Sequence, residues 1–210
     1  PVMKDMISPM ENTVYFLPNS DARQSQIYFY IPMGDYNREE NVRREAFNQY
    51  ISGGFSGLIM NEIREKNSMA YTAYGFASSR GLPGAQTYFS GYIGTQNDKA
   101  VDAIDLYMKL LTDMPERPGR IDNIKSYLRQ SALTDHPDSR NLSLRIAEWK
   151  RRGYTDDPAK EELPLIDSLT FPDIVDYYQK NIKGKPIIIG VLGNPKDISI
   201  DALKKFGKVI

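Results

Sequence analysis

Apolar and polar residues follow two different periods along this chain. Residues 12–17 (NTVYFL) and 25–31 (SQIYFYI) are β-branched and aromatic runs separated by a PNSDARQ loop, which predicts two strands. From 38 to 52 (REENVRREAFNQYIS) the spacing becomes helical, charged first and then apolar, and Gly53-Gly54 stops it. Ser56 is placed to cap a second helix, with Leu58, Ile59 and Ile63 on its apolar face and Arg64, Glu65 and Lys66 in its last turn.

Period two returns at 69–78 (MAYTAYGFAS) and 84–94 (GAQTYFSGYIG), two runs joined by SRGLPG that read as a hairpin. Helical spacing then holds over 98–113, 118–134 and 139–151. A Pro- and acid-rich stretch at 153–167 reads as a loop. Beyond it come a helix capped by Thr170, a buried strand PIIIGVLG at 186–193 and a last helix from about 199. This order predicts an α+β fold, an antiparallel-dominated sheet with helices packed on one face, in a single domain over 1–210. The chain starts on Pro1 with its first Met at position 3, so it reads as a fragment of a longer protein.

Composition narrows the chemistry. In 210 residues, Lys+Arg and Asp+Glu both number 27 and no long basic stripe occurs, which argues against nucleic acid as a partner. No apolar run reaches membrane-spanning length. Cysteine is absent, which removes disulfides, thiolate metal sites and a cysteine nucleophile, and leaves the compartment undetermined.

A zinc site needs three protein ligands, and helix-borne HExxH or HxxEH supplies two of them as histidines. This chain has one histidine, His136, before a proline in a TDHPD loop, where a surface residue is expected. GGFSG at 53–57 has its serine one place too late for a GxSxG nucleophile elbow, and no Lys-Ser/Thr follows to make a phosphate loop. The neighbouring carboxylates Glu39/Glu40 and Glu161/Glu162 read as solvated faces. Four of the 14 tyrosines, Tyr71, Tyr74, Tyr88 and Tyr92, lie in the hairpin. Core and cross-strand packing is the plainer reading of them, and a row of phenols on an open groove is the alternative.

The stretch GGFSGLIMNEIREKNSMAYTAYGF, residues 53–76, resembles a signature of the C-terminal domains of the pitrilysin family of zinc metallopeptidases, which includes insulin-degrading enzyme and the mitochondrial processing peptidases. There a Gly-rich turn, a Ser-led helix ending in Arg-Glu-Lys and a strand beginning Leu-Ala-Tyr follow one another. Here Asn67 and Ser68 stand where the family commonly has Arg-Gly, and Met69 replaces Leu. The upstream SQIYFYIPMG strand and the later order of elements extend the likeness loosely over nearly the whole chain.

The resemblance implies a function that the residues alone do not. In the family an Arg and a Tyr seven residues apart, on the half without zinc, hydrogen-bond the backbone carbonyl of the bound peptide; Arg64 and Tyr71 have that spacing. An Arg fork and a phenol suit a developing oxyanion, because neither has to change protonation to donate. The implied partners are a peptide or unfolded-protein substrate and an HxxEH-bearing domain, in the same chain or a partner subunit. That domain would carry the zinc, and this chain would hold no cofactor and be inactive alone. The rival expectation is a noncatalytic relative that serves as an assembly or partner subunit.

Overall fold

The computed structural model describes residues 7–135 and 138–210, so His136 lies outside the described residues. Six strands share one sheet: β1 (Thr13–Pro18), β2 (Ser25–Asp35), β3 (Thr72–Ser78), β4 (Gln86–Thr95), β5 (Ile188–Gly193) and β6 (Lys208–Val209), in the spatial order β3-β4-β2-β5-β1-β6. The β3–β4, β4–β2 and β2–β5 pairs are antiparallel, whereas β1 runs parallel to both β5 and β6. The expected hairpin is thus β3–β4. Consecutive β1 and β2 are not neighbours, because the apolar β5 inserts between them. A strand of nearly continuous Ile, Val and Leu stabilises the sheet most at its centre, where both edges are paired.

Among the described residues, seven α-helices supply the other layer: α1 (Asn41–Ser52), α2 (Ala100–Thr112), α3 (Ile121–Thr134), α4 (Leu142–Arg151), α5 (Pro158–Ser168), α6 (Phe171–Asn181) and α7 (Ile200–Leu203). Alternate strand residues, among them Ile27, Phe29, Phe89, Ile93, Ile189 and Val191, are buried in a core with Phe47, Tyr50, Ile104, Tyr107 and Ile174 of the helices. The α+β class with a mostly antiparallel sheet is as expected from the periodicities. Among the described residues, no helix is long and apolar enough to cross a membrane.

A helix stands where a loop was expected. The stretch 153–167, read as a loop, contains α5. Its prolines mislead for a physical reason. Pro158 occupies the first turn, where its missing N–H would have no intrahelical partner anyway. Asp157 caps that turn by accepting from the Ala159 N–H at 2.9 Å, and only Pro164 interrupts the interior. The cap assigned to Thr170 is present at the start of α6: its N–H and hydroxyl donate to the Asp173 carboxylate at 2.9 and 2.7 Å.

Two cross-strand glycines determine how α2 seats on the sheet. Gly75 of β3 lies opposite Gly91 of β4, and Tyr107 of α2 fills the space beneath them. A Cβ at Gly75 would come within 2.5 Å of both the Tyr107 hydroxyl and Phe89, and one at Gly91 would overlap the Tyr107 phenol. The ring stacks on Phe29 at 4.1 Å between centroids, and its hydroxyl donates to the Tyr74 carbonyl at 2.8 Å. A buried phenol with a partner contributes both its area and its hydrogen bond.

Candidate functional site

The chain between α1 and β3 carries the two residues singled out in the sequence. Gly53 ends α1. Gly54 then adopts φ +58, a left-handed conformation that favours glycine. Gly57 passes so close to the end of α1 that a Cβ would sit 2.7 Å from Ser52 backbone atoms. Ser56 does not cap the next helix: it lies in the tight turn Gly54–Ser56, and its hydroxyl donates back to the Gly53 carbonyl at 3.2 Å. Gly57 still has to make its close approach after Ser56, so the helical segment starts later than the cap pattern implies.

That segment is wound as a π-helix over Met60–Lys66, wider than the α-helix expected. Leu58, Ile59 and Ile63 are buried, as their spacing predicted, while Arg64, Glu65 and Lys66 are exposed. Short π-helical stretches cost regular hydrogen bonding and recur at functional sites. Here side chains from the α2–α3 connection hold it. Arg117 bonds Asn61 at 3.3 Å and pairs with Glu62, and Glu62 also pairs with Lys66 at 3.0 Å. Arg120 donates to the Tyr50 carbonyl at 3.3 Å and to the Ser56 carbonyl, with its guanidinium 5.0 Å above the Tyr50 ring.

A reversal then joins the π-segment to β3. The Ser68 N–H donates to the Arg64 carbonyl and the Met69 N–H to the Ile63 carbonyl, both at 2.9 Å. Ser68 adopts φ +50. Thr95 donates to the Met69 carbonyl, and the Tyr71 N–H donates to the Gly94 carbonyl at 2.9 Å. Arg64 and Tyr71 therefore flank a single turn. Both side chains are accessible: that of Arg64 is 45% exposed, with Nε 3.6 Å from Glu65, and Tyr71 is 54% exposed. The Tyr71 oxygen accepts from Gln96 Nε2 at 3.1 Å, which leaves its own proton free to donate elsewhere. Gln96 was not legible as a site residue, since it meets Tyr71 only across the sheet.

The strands offer a second feature, the face turned away from the core. Its outward positions on β2 from Gln26 to Pro32, and on β3, β4 and β5, carry no charge. Tyr74, Tyr92 and Tyr28 form a row across three strands, with centroids 5.3 and 5.1 Å apart, flanked by Phe76 and by the Tyr30–Tyr88 pair. Tyr74, Tyr88 and Tyr92 thus pack across strands on the open face, and not in the core. Burial, with Tyr28 and Tyr74 nearby, pushes the Tyr92 phenol up.

Neither Arg64 nor Tyr71 lines the cleft of about 420 Å³ between α1, α5 and α6, whose walls are cross-linked by Arg38–Glu161 at 2.8 Å and Arg43–Asp173 at 3.1 Å. Among the described residues, no three His, Cys, Asp or Glu side chains come together in a group able to hold a metal ion.

A family model described as the peptidase M16 inactive domain matches residues 7–119. The chain belongs to the peptidase M16 inactive-domain family. No curated protein matches it by sequence. Solved structures share the fold of this M16 inactive domain. The peptidase M16 inactive domain from Pseudomonas fluorescens superposes with a TM-score of 0.69 at 16% identity, over 92% of this chain and 46% of that one. The periplasmic protease PqqL from Escherichia coli gives 0.68 at 15%, over 89% and 21%. Complex III2 from Candida albicans gives 0.66 at 14%, over 90% and 47%. The chain spans less than half the length of each of these chains. The likeness read from residues 53–76 was to this same family of C-terminal, non-zinc domains.

Proposed function

We propose that this M16 inactive domain is the substrate-binding half of a zinc metallopeptidase, in which Arg64 and Tyr71 donate to a backbone carbonyl of the bound peptide. The zinc and its HxxEH helix would belong to another domain of the same chain or to a partner subunit. The observation that carries the reading is the turn at 67–69, which sets one guanidinium and one phenol, both exposed, at its two ends. A carbonyl oxygen that gains negative charge is stabilised by fixed donors more than the ground-state carbonyl is, so such a pair would accelerate turnover. Gln96 supports it by occupying a lone pair of the Tyr71 oxygen and leaving the proton to the ligand.

The test is made in the full-length protein with a peptide that it cleaves. Tyr71→Phe deletes one hydroxyl and keeps the ring, and should lower kcat/KM by about ten- to a thousandfold, the cost of one donor in a site of this kind. Arg64→Lys should also impair it, because an ammonium lacks the planar fork. The melting temperature of both should stay near wild type, since both side chains are exposed. Full activity of Tyr71→Phe would refute the assignment.

A second reading rests on a specific observation. The fold is nearly as close to a chain of a Candida albicans complex III2 as to the proteases, with TM-scores of 0.66 and 0.68, and the uncharged sheet face would suit a subunit that binds or braces without cutting. An HxxEH motif in the rest of the open reading frame, or in an adjacent one, selects the peptidase half; its absence from both selects the partner subunit.

A further inference from the structure

β3 is an edge strand, bonded in the sheet to β4 alone. Edge strands expose a row of backbone donors and acceptors that can accept an added strand, from a peptide or from a second copy. In an antiparallel ladder alternate residues direct these groups away from the partner, and on β3 the N–H of Gly75 and both groups of Ala77 are taken by α1. The Gly75 N–H donates to Ser52 Oγ at 2.8 Å. The Ala77 N–H donates to Asn48 Oδ1 at 2.7 Å, and Asn48 Nδ2 donates to the Ala77 carbonyl at 3.1 Å, which Arg44 Nη1 also reaches at 3.2 Å.

The match is one of spacing. Arg44, Asn48 and Ser52 are four apart and form one stripe of the helix, and four helical residues rise about 6 Å, close to the roughly 6.8 Å of two strand residues. Asn48 and Ser52 therefore stay in step with Ala77 and Gly75. The Asn48 amide engages both backbone groups of one residue, as a paired strand would. Small side chains permit the approach: the positions of β3 facing the core are Ala73, Gly75 and Ala77.

We propose that the Arg44, Asn48 and Ser52 stripe closes the Gly75–Ala77 stretch of the β3 edge to strand addition, so that a peptide held by this domain is read by side chains beside β3 and not by backbone pairing to that stretch. The second half of this statement rests on the peptide-binding function proposed above; the closed edge does not.

Hydrogen exchange on the full-length protein tests it, with and without a synthetic Thr/Val-rich peptide that is unstructured alone. In the wild type the Gly75 and Ala77 amides should exchange as slowly as those of Tyr74 and Phe76, and added peptide should leave them unchanged. In the double variant Asn48→Ala, Ser52→Ala the same two amides should exchange about tenfold faster or more, each having lost one partner. Peptide should then slow them again, or sedimentation should show concentration-dependent self-association. Exchange of the wild-type Gly75 and Ala77 amides at solvent rates, or their further protection by peptide, overturns the proposal. That wild-type arm decides it even where the double variant fails to fold. Loss of the Arg64 and Tyr71 reading would appear in kcat/KM alone and leave these rates untouched.

Discussion

Replacing Ser68 with glycine should stabilise the protein. Ser68 is held at φ +50 by the bond from its N–H to the Arg64 carbonyl, while Lys99 reaches its own carbonyl at 3.3 Å. A left-handed conformation costs an L-residue about 1–2 kcal/mol, because Cβ crowds the following carbonyl. The Ser68 side chain is exposed and gains no packing that would offset this. Glycine removes the crowding, but its wider freedom in the unfolded chain costs about 0.5–1 kcal/mol. The net gain is about 0–1.5 kcal/mol, a rise in melting temperature of up to about 6 °C for a chain of this size. Ser68→Val should move the other way, by about 1 kcal/mol or more, since β-branched residues are disfavoured at positive φ. Thermal unfolding followed by circular dichroism, with urea titrations for the free energies, measures the series. A glycine variant that melts below wild type, or a valine variant that matches it, would mean that residue 68 is not left-handed, and the link between Arg64 and Tyr71 would have to be redrawn.

Two further outcomes follow from the packing and the electrostatics. Gly91→Ala drives a methyl into the buried Tyr107 phenol and should destabilise by about 1–3 kcal/mol; adding Tyr107→Phe should recover part of that loss in urea titrations, and strict additivity would argue against the contact. Burial pushes the Asp173 carboxyl up, but its bonds from Thr170 and the nearby Arg43 outweigh this and hold it below the usual range. A depressed folded pKa contributes stability above the unfolded value of about 3.9, and that contribution is lost as pH falls through the folded value. The stability gap between wild type and Asp173→Asn should therefore persist at neutral pH and close below about pH 4, and a gap independent of pH would refute the assignment.

Local pattern was enough to determine much of this protein. The strand and helix periods, the burial of Leu58, Ile59 and Ile63, the Thr170 cap and the β3–β4 hairpin all depend on residues a few positions apart, and each was legible in the chain. So was the family, from residues 53–76. Tertiary structure decided whatever depends on distant partners. β5 separates β1 from β2 because pairing energy is shared among strands more than 150 residues apart in sequence, such as Val14 and Ile189. The prolines of α5 obscured a helix that packs on α3 and α1, since tertiary burial can outweigh poor propensity. Ser56 lost its expected capping role to the close approach of Gly57, and Met60–Lys66 widened into a π-helix held by Arg117, a residue more than 50 positions away. Asn48 closing the β3 edge at Ala77 and Gln96 meeting Tyr71 span 29 and 25 residues. A hydrogen bond of that reach forms only when the fold brings its ends together, so no local pattern can announce it.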